Sequence, residues 1–408
     1  MITVREAKAL VLKNIPPPRK VCLMLKQVLG HVLAEEVRAP FPMPIENNSA
    51  MDGFVVRAED CRIATRRRPV RLKISGRVRA GDGPGHPLRK GHCFRIMTGA
   101  FLPKGGDAVI PKERAFPSNG GLHVDKPVLK GAHVRMRGEE IKQGDLVLSA
   151  GCFLSPAALG LLANLGRGEV SVFEKPKVSL VVTGNELMAP GQKLKPGKIF
   201  DSNSWAIRAA LDACGFPPVL VKRTRDDMKS LTRVFKNVFC RTQVVIFTGG
   251  VSVGDYDFVK EVLGREGVRP LVWRVSQKPG KPIYVGRKGR KLVFGLPGNP
   301  AAAFTCFYEY VLPALRALAG FPKPDLKKLR GRLLKSVAAD AERFLFLKGR
   351  IFQKGNYLWV EPLAKQGSHM LSSLVETNGL IRIPPGKGSR PAGCVVTVDR
   401  IPGTEAGL

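Results

Sequence analysis

The spacing of apolar and polar residues changes character several times along the chain. Up to about residue 40, apolar positions recur at helical spacing among basic residues: Ala7, Leu10 and Val11, then Val21, Leu23, Leu25, Val28 and Leu29. That spacing predicts helices. Pro40, Pro42 and Pro44 then interrupt it, because proline fixes φ and removes a donor. From residue 70 to about 134, short alternating runs are cut by glycine. In VRLKISGRVRAGDG, Val70, Leu72 and Ile74 fall on one face and Arg71, Lys73 and Ser75 on the other. Such alternation predicts a small all-β domain. LSPAALGLLANLG predicts a helix with Ser155 as N-cap, Pro156 in the first turn and Gly166 past its end.

Between residues 178 and 320 apolar strands alternate with helices. Strands are predicted over 178–182, 219–222, 244–247, 271–275 and 292–296, with helices near 203–214, 227–239, 257–264 and 300–318. This largely βαβα order predicts a doubly wound α/β domain. After GFPKPDLKK the helical rhythm stops. FLFLKGRIF, YLWVEP, LIRIP and CVVTVDR read as strands between turns, and predict a small barrel or sandwich. The expected organisation is an α/β multidomain chain. A helical and linker domain takes 1–44 and 138–175, a small β-domain 45–137, the α/β domain 176–320, and a C-terminal β-barrel 321–408.

Composition narrows the function classes. The 408 residues exceed one ordinary core, and 44% hydrophobic content is that of a globular chain. The eight cysteines include no C-x-x-C pair, which argues against a zinc ribbon or thioredoxin-type site. Scattered cysteines suit a reducing cytoplasm. The polar start MITVREAKAL lacks a signal-peptide core, and no apolar run is long enough to span a membrane. The formal charge is +34, from 67 Lys and Arg against 33 Asp and Glu, so the chain attracts anions. Its basic peaks, Arg66 to Arg68 and Arg287 to Lys291, lack the interleaved aromatics of a nucleic-acid stacking platform.

The candidate chemistry lies mostly beyond predicted strand ends, where open α/β sheets bind ligands. NNSAMDGFVV offers Asn48, Ser49 and Asp52, although Asp-Gly is also simply a turn. RIMTGAFLPKGGDAVIPKE ends a strand at Thr98 and Gly99 and adds Lys104 and Lys112. VVTGNEL places Thr183, Asn185 and Glu186 after a buried strand. IFDSN brings Asp201 or Ser202 to a helix start as its cap, and RTRDD brings Asp226 and Asp227 to another, where they either cap or, as hard oxygen donors, hold Mg²⁺. TGGVSVGDYDF contains G-x-S-x-G, the pattern of a hydrolase elbow. Only His369 follows Ser252, in the predicted C-terminal domain, so a catalytic triad has no base. Gly249, Gly250 and Ser252 instead predict a backbone cradle for an anion at a helix N-terminus, with Asp255 and Asp257 as ligands or caps. QKPGKPIYVG sets Lys278 and Lys281 about a turn as an anion clamp. GLPGNPAAAF stiffens a strand-to-helix turn with Pro297 and Pro300 and frees Asn299. KQGSHMLSSL supplies Gln366, Ser368 and His369. Taken together, these loops predict a Mg²⁺-assisted site for a phosphorylated ligand.

NSAMDG, RIMTGA, GNEL, PGQ, IFDSN, GGVSVGDYDF, KPGKP and GLPGNP, in that order, resemble the molybdopterin molybdenumtransferase family, which includes the E domain of gephyrin. The resemblance spans almost the whole chain. It implies an elongated homodimer of four domains per subunit, with a site shared between the α/β domain of one subunit and the Asn48–Asp52 and Thr98 region of the other. It implies that adenylylated molybdopterin and molybdate are the substrates, that Mg²⁺ assists hydrolysis of the phosphoanhydride, and that AMP is released. Molybdopterin adenylyltransferase and apo-molybdoenzymes are the implied partners. By motif, Asp52, Thr98, Glu186, Asp226, Asp257, Lys278, Pro297, Pro300 and Ser368 stand at functional positions, with Glu186 and Asp226 toward the metal. Departures from the family pattern are Glu46-Asn47 for Phe-Asp, Asn185 for an aspartate, Arg274 for a lysine, Ala302 for a serine and Lys348 for an arginine. The competing readings are a non-catalytic scaffold of the same fold and an anion- or nucleic-acid-binding protein.

Overall fold

The computed structural model describes residues 1–83, 85–250 and 258–404. It divides into two compact units: Met1–Ala34, Phe153–Leu159 and Glu169–Leu408, and Glu35–Cys152 with Gly160–Gly168.

The first unit is built on a six-stranded sheet. Its strands are β1 (Val178–Thr183), β2 (Pro218–Thr224), β3 (Val244–Thr248), β4 (Arg269–Trp273), β5 (Tyr284–Lys288) and β6 (Lys291–Leu296), in the order β2-β1-β3-β6-β5-β4. β2, β1, β3 and β6 run parallel. Every residue of β1 and β3 is buried, which is why both read as unbroken apolar runs rather than alternating ones. Leu180 and Val182 face one core with Ile207 and Leu211 of helix α1 (Asn203–Ala213). Val181 faces the other, with Leu231 and Phe235 of α2 (Met228–Arg241). α3 (Phe258–Arg265) and α4 (Pro300–Cys306) complete the wrapping.

Two strands differ from expectation. β5 falls where the pattern suggested a lysine-bearing loop, and it pairs antiparallel with both β6 and β4. Its Tyr284-Val285-Gly286 stretch is buried, so the period-two signal was absent. Residues 20–24 likewise are not helical. Helix Val4–Lys13, with a Thr3–Glu6 capping box, is followed by strand Lys20–Met24. That strand pairs antiparallel with Glu169–Phe173. Its apolar residues alternate, and pairing with a distant strand overrides the loose helical spacing.

The C-terminal strands close into a five-stranded barrel, because Phe344–Lys354 pairs with both Tyr357–Pro362 and Gly379–Ile383. Lys328–Leu333 and Val395–Arg400 complete the ring. The short strand Gln277–Lys278, from the segment after β4, adds to Phe344 and Leu345 at its rim.

The second unit carries the small β-domain. Its six-stranded sheet is ordered Ala108–Pro111, Gly53–Val56, His92–Ile96, Val70–Val78, Gly121–Val124 and Phe116–Ser118. Leu72 is fully buried, and Val70 and Ile74 pack against the same cluster. Ser155 accepts from the Ala158 N–H at 3.3 Å, at the start of helix Pro156–Asn164, and Gly166 follows its end with φ +72°.

Candidate active site

The loops after β1, β2, β3 and β6 lie side by side at the carboxyl edge of the parallel strands. Thr183, the last residue of β1, donates its hydroxyl to Asp226 Oδ1 at 3.1 Å. The Asp226 N–H in turn donates to Asn185 Oδ1 at 3.2 Å. Asp226 is half-buried. Burial raises its pKa above the usual carboxylate range, Thr183 opposes that rise, and the neighbouring Glu186 and Asp227 charges reinforce it. The adjacent aspartate behaves oppositely. Asp227 caps α2 by accepting from the Ser230 N–H at 2.8 Å, and that bond lowers its pKa. The capping and ligand readings of RTRDD thus separate: Asp227 caps, and Asp226 is left facing Glu186. Asp201 is also a cap, accepting from the Ser204 N–H at 3.0 Å.

β3 is followed by Gly249 (φ +88°) and Gly250 (φ +63°), conformations that favour glycine. A Cβ on Gly249 would run into the Thr183 carbonyl, and one on Gly250 would lie 2.7 Å from Val259 and 3.3 Å from Asp226 Oδ1. Glycine at both positions therefore lets the chain pass directly against Thr183 and Asp226. Beside them the Thr248 hydroxyl is buried without a hydrogen-bond partner among the described residues. Ser252, Asp255 and Asp257 lie outside the described residues.

The β6 loop joins from the other side. Gly298 approaches Gly249, and its carbonyl accepts from Asn203 Nδ2 at 2.7 Å. Pro297 is buried, and Pro300 opens α4. Asn299 makes no side-chain cap there; its amide donates instead to Ser368 Oγ at 3.2 Å. The Ala301 N–H donates to the Ser368 carbonyl at 3.0 Å. Lys278 and Lys281 are exposed about Gly280, which packs on Cys306 and Ala302 of α4. Arg274, after β4, has φ +58° and a buried Nε with no partner among the described residues.

Asp52 and Thr98 are brought together within the second unit. Thr98 donates its N–H and its hydroxyl to Asp52 Oδ1 at 2.8 and 2.7 Å, and these bonds hold the carboxyl below its usual range. Their loops are tied by Ser49 N–H to the Ala100 carbonyl at 2.9 Å and Gly99 N–H to the Ser49 carbonyl at 2.8 Å.

One residue has a role that no local signal announced. Lys348 is buried, and burial lowers its pKa. Its Nζ donates to the carbonyls of Gly367 and Met370 at 3.1 and 3.4 Å, while its backbone N–H and carbonyl bind the Gln366 amide at 2.9 Å each. It therefore holds the turn that carries Ser368. Only the burial of this lysine, known from the fold, reveals this.

No cluster of three or more His, Cys, Asp or Glu suited to a metal occurs among the described residues. The Asp226–Glu186 pair still fits Mg²⁺, which is commonly bound through one or two carboxylates and takes its other oxygens from water and phosphate. The charge of Glu186 disfavours ionised Asp226, an effect that a bound cation would offset.

Three family models match the chain: the MoeA N-terminal region (domains I and II) over residues 2–166, a probable molybdopterin binding domain over 179–317, and the MoeA C-terminal region (domain IV) over 330–400. The molybdopterin molybdenumtransferase of Haemophilus influenzae is 32% identical, covering 98% of both chains. Molybdopterin molybdenumtransferase 2 of Mycobacterium tuberculosis is 34% identical over 94% of this chain and 96% of its own. The crystal structure of the molybdopterin biosynthesis MoeA protein from Pyrococcus horikoshii superposes with a TM-score of 0.82 at 33% identity, covering 99% of this chain and all of that one. Similarity of this extent, carried by sequence and fold together, makes the chain a member of the MoeA family of molybdopterin molybdenumtransferases.

Proposed function

We propose that the chain inserts molybdenum from molybdate into adenylylated molybdopterin, with Mg²⁺-dependent hydrolysis of the phosphoanhydride and release of AMP, in molybdenum cofactor biosynthesis. The observation that carries this reading is the Asp226–Glu186 carboxylate pair beneath the Gly249–Gly250 turn, at the carboxyl ends of parallel strands. When bound, Mg²⁺ neutralises charge on the anhydride. Thr183 and Asn185 fix Asp226 in place for that ion. The backbone of Gly249 and Gly250, with Ser252 next in the motif, cradles a phosphate. Lys278, Lys281 and Arg274 attract the phosphate and molybdate anions, and the turn from Pro297 to Pro300, pinned to Ser368 through Asn299, presents a rigid wall to the ligand. Asp52, oriented by Thr98, acts from the partner subunit of a cytoplasmic homodimer.

The test is AMP release from adenylylated molybdopterin, with Mg²⁺ and molybdate each omitted in turn. Release that needs both is the expected result; release indifferent to either one refutes the mechanism. Equal release by wild type and Glu186→Ala refutes the role of Glu186. Running molybdate beside tungstate identifies the oxyanion.

A further inference from the structure

The β-domain of the second unit contains a cavity of about 600 Å³ whose rim is unusually cationic. Arg77, Arg95 and Lys112 line it, with Asp52 as the acidic counterpart and Ile74 and Pro117 as apolar wall. Arg77 and Arg95 are direct partners on neighbouring parallel strands. Like charges placed opposite one another destabilise a sheet, and among the described residues neither guanidinium forms a hydrogen bond or an ion pair.

The arrangement depends on a β-bulge. The register slips between Ile74 and Gly76, leaving Ser75 as the extra residue. Ser75 is held there by a hydrogen bond between its hydroxyl and His92 Nδ1. Strict alternation from Leu72 and Ile74 would send Arg77 to the opposite face with Lys73. The bulge instead turns Arg77 onto the Ile74 face, beside Arg95, and passes Val78 to the second core, with Phe94 and Ile96. Bulges commonly re-aim a side chain in this way. Here the re-aimed side chain meets a like charge and no carboxylate of its own.

Asp52 does not satisfy the three cations. Its Oδ1 is taken by Thr98, and Lys112 Nζ stands 3.9 Å from its Oδ2. Three cations against one carboxylate leave a double positive excess, which a phosphate dianion matches. Two adjacent guanidiniums also supply the planar forks that suit a tetrahedral oxyanion.

We propose that Arg77, Arg95 and Lys112 form an oxyanion subsite in the β-domain that takes the phosphate group of a small-molecule ester. The cavity extends well beyond one oxyanion, leaving room for the body of such an ester against Ile74 and Pro117. The subsite adds to the transferase reading without resting on it.

Arginine modification of the full chain by phenylglyoxal, followed by peptide mass spectrometry, tests the subsite. Modification is compared with and without AMP, inorganic phosphate or molybdate, at ionic strength equalised with chloride. A ligand well above its dissociation constant is expected to slow modification of Arg77 and Arg95 about fivefold or more, while Arg89, exposed on the same unit outside the cavity, is unaffected. Lys112→Met reduces the protection, and Lys73→Met, on the other face of the strand, does not. Protection by AMP at lower concentration than by phosphate upholds an ester. Protection by phosphate and molybdate but not AMP overturns the ester and leaves a site for the free oxyanion. Protection by none of the three, or equal protection of Arg89, overturns the subsite. The readout needs no turnover, so protected arginines on a chain that releases no AMP retract the transferase mechanism alone.

Discussion

Asp226→Asn separates chemistry from stability at the candidate site. The substitution keeps the shape of the side chain, and the Asn carbonyl can still accept the Thr183 hydroxyl bond. It removes a charge that the fold disfavours through burial and through Glu186 and Asp227. Asp226 is only half-buried, so the repulsion acts through partly solvated space. Unit charges some 4 Å apart interact by about 1 kcal/mol in water-like surroundings, and solvent screening reduces the figure further. The variant is therefore expected to be as stable as wild type, or more stable by up to about 1 kcal/mol, roughly 2 °C in melting temperature for a unit of this size. The sign with pH follows from the raised pKa. The folded state binds the proton more tightly than the unfolded chain, so ionised Asp226 costs stability in full above its folded pKa, and that cost declines as pH falls from the folded toward the unfolded pKa and is gone below it. Any advantage of Asp226→Asn is then present at neutral pH and lost in acid. AMP release, in contrast, should fall on the order of a hundredfold, equivalent to about 2.7 kcal/mol of transition-state stabilisation. The assays are thermal unfolding in EDTA from acid to neutral pH and AMP release at saturating Mg²⁺. A variant that melts well below wild type at neutral pH makes Asp226 structural; one that keeps full activity removes it from the chemistry.

Other perturbations address different parts of the molecule. Lys348→Met frees the Gly367–Met370 turn and should raise KM more than it lowers kcat, since Ser368 loses its fixed position beside Asn299; steady-state kinetics read the split. Thr98→Val takes one of two hydrogen bonds from Asp52 while leaving the backbone donor, and should raise the Asp52 pKa and slow AMP release by up to about tenfold, as a pH–rate profile reports. Arg382 joins buried Glu309 at 2.9 Å and buried Asp399 at 2.5 Å. Arg382→Met strands Asp399 and leaves Glu309 only Lys8, at 3.2 Å, and should cost about 3–5 kcal/mol, measured as a lower denaturation midpoint. Gly249→Ala forces a Cβ onto the Thr183 carbonyl at φ +88°, and should abolish AMP release while leaving the barrel of the C-terminal region folded, as tryptophan emission from Trp359 in a single-tryptophan background would reveal.

Local sequence rules suffice for those parts of the protein in which a short-range preference has no rival. The apolar runs at residues 178–182 and 244–247 read as buried strands of an α/β sheet, because alternation disappears when both faces of a strand are covered. The Ser155–Gly166 helix followed from its cap, its first-turn proline and its terminal glycine. The order of the motifs was sufficient to identify the family resemblance. The assembled fold settled what depended on partners far along the chain. Lys20–Met24 became a strand because Glu169–Phe173 was available to pair with it. β5 appeared where charge and glycine suggested a loop, since β6 and β4 bury it from both sides. Of two adjacent aspartates with equal claims, helix geometry committed Asp227 to Ser230 and left Asp226 to Thr183. Lys348 was reassigned by burial, and Arg77 by a one-residue slip in register. Composition records which charges a chain carries, but the pairing of strands determines which face each charge occupies and what it meets there.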